Sequence, residues 1–254
     1  MGRLEGKVVI ITGANSGIGA VAAQKLAAEG ARVVMAARRV DKLAEVAEKI
    51  QAAGGECLSV PTDIAKEADC VALIAAAVKA YGTVDVMVNN AGYLEEGLKP
   101  LEKFTEEDLS NTLNINTKGT MYCMREAAKV MLGKKSGSIV NVSSLAGVAG
   151  IGGAAYVASK AALLGVARHS AMRLASSGIR VNTICPGTVV TPMTTEMNQA
   201  AIDKEWMGEV SKHCDLTVPV CMPEDVANII VFLASDESRP LTAQVLVSDF
   251  GSSL

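Results

Sequence analysis

Aromatic residues are scarce in this sequence: one Trp, three Phe and four Tyr make up 3% of 254 residues. The apolar half of the chain is therefore carried mainly by Ala, Val, Ile and Leu, the residues of strands buried on both faces by helices. Charge of one sign is missing too. Lys and Arg number 24 against 27 Asp and Glu, the net charge is −3, and no block of like charge occurs. Nothing here neutralises a phosphate backbone, which excludes nucleic acid as a partner. The same composition excludes a disordered or collagen-like chain.

Other absences narrow the class further. Cys57, Cys70, Cys123, Cys185, Cys214 and Cys221 have no C-x-x-C spacing and read as reduced, packed thiols of a cytosolic protein. His213 and Cys214 with Cys221 lack two further ligands for a metal, so no metal is expected. The chain opens on Met1-Gly2-Arg3-Leu4-Glu5-Gly6-Lys7 with no signal-peptide core, and Gly6 stands where a myristoylation signal needs Ser or Thr. The longest uncharged apolar run, Leu145 to Ala158, is shorter than the roughly 20 residues that span a bilayer. A cytoplasmic protein without a membrane partner is expected.

Short β-branched runs alternate with longer Ala/Leu/Lys/Glu segments throughout. The pattern predicts strands at Lys7–Thr12, Arg32–Ala36, Glu56–Pro61, Val84–Asn89, Ser138–Val142, Arg180–Ile184 and Gln244–Val247. It predicts helices at Ile18–Glu29, Val40–Ala53, Lys66–Tyr81, Thr105–Leu132, Ala154–Ser177 and Glu224–Ser235. That alternation specifies a parallel, doubly wound α/β sheet, and the lack of linkers or repeats makes residues 1–254 one domain. The irregular stretch Thr188–Met222 is a lid candidate.

In such a sheet, ligands sit beyond the carboxyl ends of the strands. After the first strand comes Thr12-Gly13-Ala14-Asn15-Ser16-Gly17-Ile18-Gly19, leading into a helix. Glycines there let the backbone approach a pyrophosphate, whose charge meets free N–H groups at the helix start. A ligand-free glycine turn is the plainer alternative. The second strand ends in Ala37-Arg38-Arg39 where an acidic residue would serve the ribose of NAD(H). Two guanidinium groups suit a 2′-phosphate, so NADP(H) is expected over NAD(H). Asp63 is placed either to accept from an adenine amino group or to cap a helix.

The fourth strand ends in Asn89-Asn90-Ala91-Gly92 and the fifth in Ser143-Ser144, with Tyr156 and Lys160 one helical turn apart further on. An ammonium near a phenol favours the phenolate, and a phenol tuned that way can exchange a proton with an alcohol or carbonyl. A hydrolase would need a G-x-S-x-G elbow and an available histidine. Neither serine has the flanking glycines, and the two histidines are His169 and His213.

Thr12–Gly19, Asn89–Gly92, Ser144 with Tyr156-x-x-x-Lys160, and Arg180-Val181-Asn182-Thr183-Ile184-Cys185-Pro186-Gly187 together resemble the short-chain dehydrogenase/reductase family, from Lys7 to about Val247. The resemblance implies that Tyr156 is the general acid/base, that Lys160 lowers its pKa and binds the nicotinamide ribose, and that Ser144 polarises the substrate oxygen. It implies that Asn116, rather than Asn114, anchors a proton-relay water. Gly13, Asn15, Ser16, Gly17, Ile18, Gly19, Arg38, Arg39, Asp63, Ile64, Asn90, Ala91 and Gly92 would hold the coenzyme. Pro186, Gly187, Val189 and Thr191 would hold its nicotinamide end, and the protein would be a homo-oligomer, tetramer or dimer.

Three features depart from the family. The span from Ser144 to Tyr156 is one residue shorter than usual, which leaves Ser143 as an alternative to Ser144. Ala243 and Phe250 stand where glycine is common. Met193, Met197, Trp206, Met207 and Met222 in the lid candidate suit a bulky apolar alcohol or ketone such as a hydroxysteroid or bile acid. A packed helix pair is the structural alternative. A 3-oxoacyl-(acyl-carrier-protein) reductase, with Lys204 and Lys212 at the mouth, and a non-catalytic NADP-sensing regulator are the alternative functions.

Overall fold

The computed structural model describes residues 2–215 and 217–254. Strand β1 (Val8–Thr12) reads VVIIT, and all five residues are buried. Both of its faces are covered, which is why it is continuously apolar rather than alternating. Helix α1 (Gly17–Ala28), β2 (Arg32–Ala37), α2 (Val40–Ala52), β3 (Glu56–Pro61), α3 (Glu67–Tyr81) and β4 (Val86–Asn89) follow. Helix α2 buries Leu43, Val46 and Ile50, a stripe at helical spacing, and leaves its other face to solvent.

Next come α4 (Glu106–Thr112), a π-helix (Leu113–Gly119) and α5 (Thr120–Lys134). Then follow β5 (Gly137–Val142), α6 (Ala146–Ala149), α7 (Ala154–Leu174), β6 (Ile179–Pro186), α8 (Pro192–Thr195), α9 (Lys204–Val210), α10 (Pro223–Ala234) and β7 (Val245–Ser248). The seven strands form one parallel sheet in the order β3-β2-β1-β4-β5-β6-β7. Val9, Ile11, Val33, Val88, Val140 and Ile184 pack against α1 and α10 on one face. Val8, Ile10, Met87, Ile139 and Val181 pack against α3, α5 and α7 on the other. Among the described residues no helix is long and apolar enough to cross a membrane.

The strand order reverses between β1 and β4, because the chain crosses from the β3 edge back to the middle of the sheet. That switch point opens the crevice in which such sheets bind ligands. The predicted strands and helices are all present, with ends shifted by at most three residues, the largest shift being in α7, which stops at Leu174 before a 3₁₀ turn at Ala175–Ser177. The exceptions lie in two places. The expected helix Thr105–Leu132 is three elements, since the chain widens to π geometry over Leu113–Gly119. The lid candidate Thr188–Met222 is not one irregular loop but α8, a 3₁₀ turn at Gln199–Ala201 and α9; its Leu216 lies outside the described residues.

Ala243 and Phe250, which replace customary glycines, both adopt left-handed backbone, with φ of 60° and 53°. An L side chain there meets its own carbonyl, at a cost of about 1 kcal/mol. Ala243→Gly should therefore stabilise the fold by about 1 kcal/mol in denaturant unfolding. The same change at Ala161, exposed within α7, should cost about 1 kcal/mol. Equal signs at the two positions would contradict the strain argument.

Candidate functional site

The glycine turn after β1 is locked to the end of β4. Thr12 is buried, and its hydroxyl accepts from the Asn90 and Ala91 backbone N–H groups, each at 3.1 Å. Asn90 Nδ2 donates to the Thr12 carbonyl at 3.0 Å, so this amide knits two strand ends together. A β-carbon on Gly19 would overlap the Gly13 carbonyl oxygen, so only glycine allows α1 to start this close to the turn. Ser16, the N-cap of α1, makes no side-chain capping bond. The first N–H groups of a 12-residue helix are left without that partner, at the positive end of its dipole.

Of the paired arginines, the structure brings Arg39 to this turn. Its Nη2 donates to Ser16 Oγ at 3.2 Å. With the Asn15 amide oxygen turned towards it, Nη2 and Nε donate to that oxygen at 2.6 and 2.8 Å. Arg38 is exposed and makes no side-chain hydrogen bond among the described residues. Asp63 does not cap α3, whose N-cap is Lys66; its Oδ1 accepts from Ala65 N at 3.2 Å within the preceding turn, and its own N–H donates to Asp69. Ile64 is buried, and its carbonyl lies where a β-carbon on Gly119 would intrude, so it packs against the π-helix.

Asn116, within the π-helix, is fully buried. Its Oδ1 accepts from Tyr93 N at 2.7 Å, and its Nδ2 donates to Tyr93 O at 2.8 Å and to Ser159 Oγ at 2.9 Å. Ser159 Oγ in turn donates to Tyr156 O at 2.8 Å. Asn114 accepts from Lys118 at the exposed side and takes no part. A β-carbon on Gly92 would lie 3.4 Å from Lys160 Nζ and 3.6 Å from Asn116 Oδ1, so these three positions meet at one point.

The two serines after β5 divide their work. Ser143 is buried, and its hydroxyl donates to the Lys160 carbonyl at 2.9 Å, tying β5 to α7. The Ser144 hydroxyl accepts from Ala146 N at 3.1 Å and is the hydrogen-bonding neighbour of the Tyr156 phenol. Lys160 retains 3% exposure, donates from Nζ to Val142 O at 3.0 Å, and stands 5.5 Å from the Tyr156 ring centroid.

Burial dominates the electrostatics. It pushes the Lys160 ammonium down to about 8, with Cys185 opposing. It pushes the Tyr156 phenol up to about 12, against the hydrogen bond from Ser144, and the Glu95 carboxyl raises the phenol further. The depressed phenol expected from the Lys160 charge is therefore absent in the chain alone. Desolvation of the phenolate outweighs a cation that lies over the ring face.

Pro186, Gly187, Val189 and Thr191 run from the end of β6. Gly187 N donates to Ser248 O at 2.9 Å, and Val189 bridges to Cys221. Thr191 carries its methyl to 3.1 Å from where a Gly17 β-carbon would stand, which closes this segment over the glycine turn. Tyr93, Ser159, Thr12 and Glu95 were not singled out in the sequence. Ser159 lies inside the Tyr-x-x-x-Lys stretch and Thr12 ends a strand, which were usable signals. Glu95, beside Glu96 in a loop, offered none.

The family model for short chain dehydrogenase matches residues 7–202. The chain is 36% identical to a 3-oxoacyl-(acyl-carrier-protein) reductase of Thermotoga maritima, covering 98% of each. It is 36% identical to a 3β-hydroxysteroid dehydrogenase of Mediterraneibacter gnavus, covering 99% of this chain and 96% of that one. Among solved structures, levodione reductase superposes with a TM-score of 0.90 at 30% identity, covering 98% of both chains.

The buried lysine carries a stability cost with a definite sign. Its folded pKa of about 8 lies below the ordinary 10.5, so the unfolded chain binds the extra proton between those values and stability rises with pH across that window. Lys160→Met should be more stable at pH 7 by about 2 kcal/mol, after allowance for the lost bond to Val142. Denaturant unfolding at several pH values should show that gain shrinking from pH 8 and gone above about 10.5.

Proposed function

The chain belongs to the short-chain dehydrogenase family, and from that membership we propose an NADP(H)-dependent oxidoreductase that interconverts a bulky apolar secondary alcohol and its ketone. The observation that carries the reading is the convergence of Ser144, Tyr156 and Lys160 beside the switch point, next to a glycine turn whose helix start is uncapped. When bound, the nicotinamide coenzyme supplies or takes the hydride. Tyr156 gives its proton to the carbonyl oxygen in reduction and recovers it in oxidation, while Ser144 holds that oxygen in line. Lys160 and the Asn116 cluster fix Tyr156 and leave a polar floor for the ribose.

Support for the 2′-phosphate comes from Arg39. Its guanidinium already stands on Asn15 and Ser16, with Ala37 rather than an acid at the end of β2. Support for an apolar substrate comes from the lid, where Met193 and Met222 are exposed and Trp206 donates to Gly152 O at 2.8 Å, inside the Ser144–Tyr156 link.

A second reading, reduction of a carrier-bound acyl group, is favoured by the Thermotoga relative. The surface argues against it. A cleft of about 520 Å³ beside α9 is lined by Glu102, Asp203, Glu205 and Glu209, while Lys103 and Lys212 are already paired with Asp203 and Glu209. An acidic carrier would meet like charge there.

Tyr156→Phe should bind NADPH as the parent does and lose turnover by about 10²–10⁴-fold, tested on hydroxysteroids, sugars and acyl thioesters. Substantial residual turnover would remove Tyr156 as the acid. Ala37→Asp with Arg39→Leu should lower the NADPH over NADH preference by at least about tenfold. An unchanged ratio of kcat/KM for the two coenzymes would refute the 2′-phosphate assignment.

A further inference from the structure

Glu95 is the most anomalous charged residue in the protein. It is 1% exposed and sits on the loop that follows β4. Its Oε1 accepts a long bond from Tyr156 N at 3.4 Å, and its Oε2 has no hydrogen-bonding partner. Room for the carboxyl exists because residue 153 is glycine: a β-carbon there would overlap Oε1 and also press on Leu98 Cα. Gly153 is the N-cap of α7, so the carboxyl stands at the positive end of a 21-residue helix whose first turn carries no acidic residue of its own.

A buried carboxyl with an unpartnered oxygen is destabilising, and such groups persist where function holds them. The other titratable groups facing it are few. Asp108 and Lys99 form an ion pair at 2.7 Å and act on the carboxyl in opposite senses, and from α7 the facing group is Tyr156. Burial raises the Glu95 pKa, and its charge raises that of the phenol.

We propose that Glu95 is a positioning residue for Tyr156, its carboxyl seated against Gly153 to hold the first turn of α7 in place and to act by its charge on the phenol. The proposal rests on Tyr156 as the acid/base, and it adds a carboxyl to that site. While ionised, the carboxylate opposes loss of the Tyr156 proton. Once it is protonated the opposition lapses.

The test reads the phenol directly, without substrate. The ultraviolet absorbance of the phenolate is titrated in the parent and in Glu95→Gln, each corrected by its own Tyr156→Phe counterpart to remove the other three tyrosines. The glutamine variant keeps shape and loses charge, so the Tyr156 midpoint should fall by about half a pH unit or more. An unmoved or raised midpoint in folded Glu95→Gln overturns the proposal. Should that variant not fold, Glu95→Asp retains the charge and withdraws it by one methylene. A smaller fall supports the idea and no fall overturns it. Failure here, with Tyr156→Phe still inactive, would leave the acid/base reading intact, whereas an active Tyr156→Phe would remove both.

Discussion

The amide of Asn116 is buried out of reach of water, and both of its hydrogens and its oxygen are bound within the protein. Each bond goes to a different requirement of the site. The reciprocal pair with Tyr93 fixes the backbone that carries Gly92 past the end of β4, and the bond to Ser159 fixes α7 at the turn between Tyr156 and Lys160. Removing the amide would strand the Tyr93 N–H in an interior that cannot replace the bond, at a cost of about 1–3 kcal/mol. The π geometry of Leu113–Gly119 shifts the helix by one residue and so turns Asn116 inward at that depth. Loop, helix and sheet edge are thus held by one side chain, and the chemistry of Tyr156 depends on that hold.

Set against this rigid frame are charges that the fold would be more stable without. Lys160 is desolvated to the point of losing its proton near pH 8, and Tyr156 resists ionisation up to about 12. These shifts carry the two groups apart: the ammonium gives up its proton more readily and the phenol less readily than either does in water. The acid/base role proposed for Tyr156 calls for the opposite drift of the phenol. The chain alone therefore supplies geometry and dryness. Stability and function pull against one another here, as they do wherever a site holds polar groups out of water.

Much of the fold was legible in the sequence because its strands are fully buried. Runs such as Val8–Thr12 and Ser138–Val142 cannot be anything but central strands when helical segments alternate with them. The glycine turn and the Tyr156/Lys160 pair were legible because their spacing is itself the geometry. What escaped depends on packing at a distance. Nothing local marks Leu113–Gly119 as π rather than α, since the cause lies in where Asn116 must reach. Likewise Arg38 and Arg39 are indistinguishable in sequence, and the β2 end decides which guanidinium lies over Asn15. Glu95 next to Glu96 reads as a solvated loop, and only Gly153 arriving from another segment, 58 residues on, makes it an interior group.

That last meeting has a bearing on how the lid and the acid are linked. Three parts of the structure touch the Gly150–Gly153 segment. Trp206 of α9 donates to the Gly152 carbonyl, Glu95 fills the space beside Gly153, and Tyr156 follows in the first turn of α7. The bond from Trp206 ties α9 to Gly152, and Gly153 is the neighbour against which the Glu95 carboxyl is seated. Helix α9 and the first turn of α7 are thus joined through two adjacent glycines, and a β-carbon at Gly153 would overlap the Glu95 carboxyl.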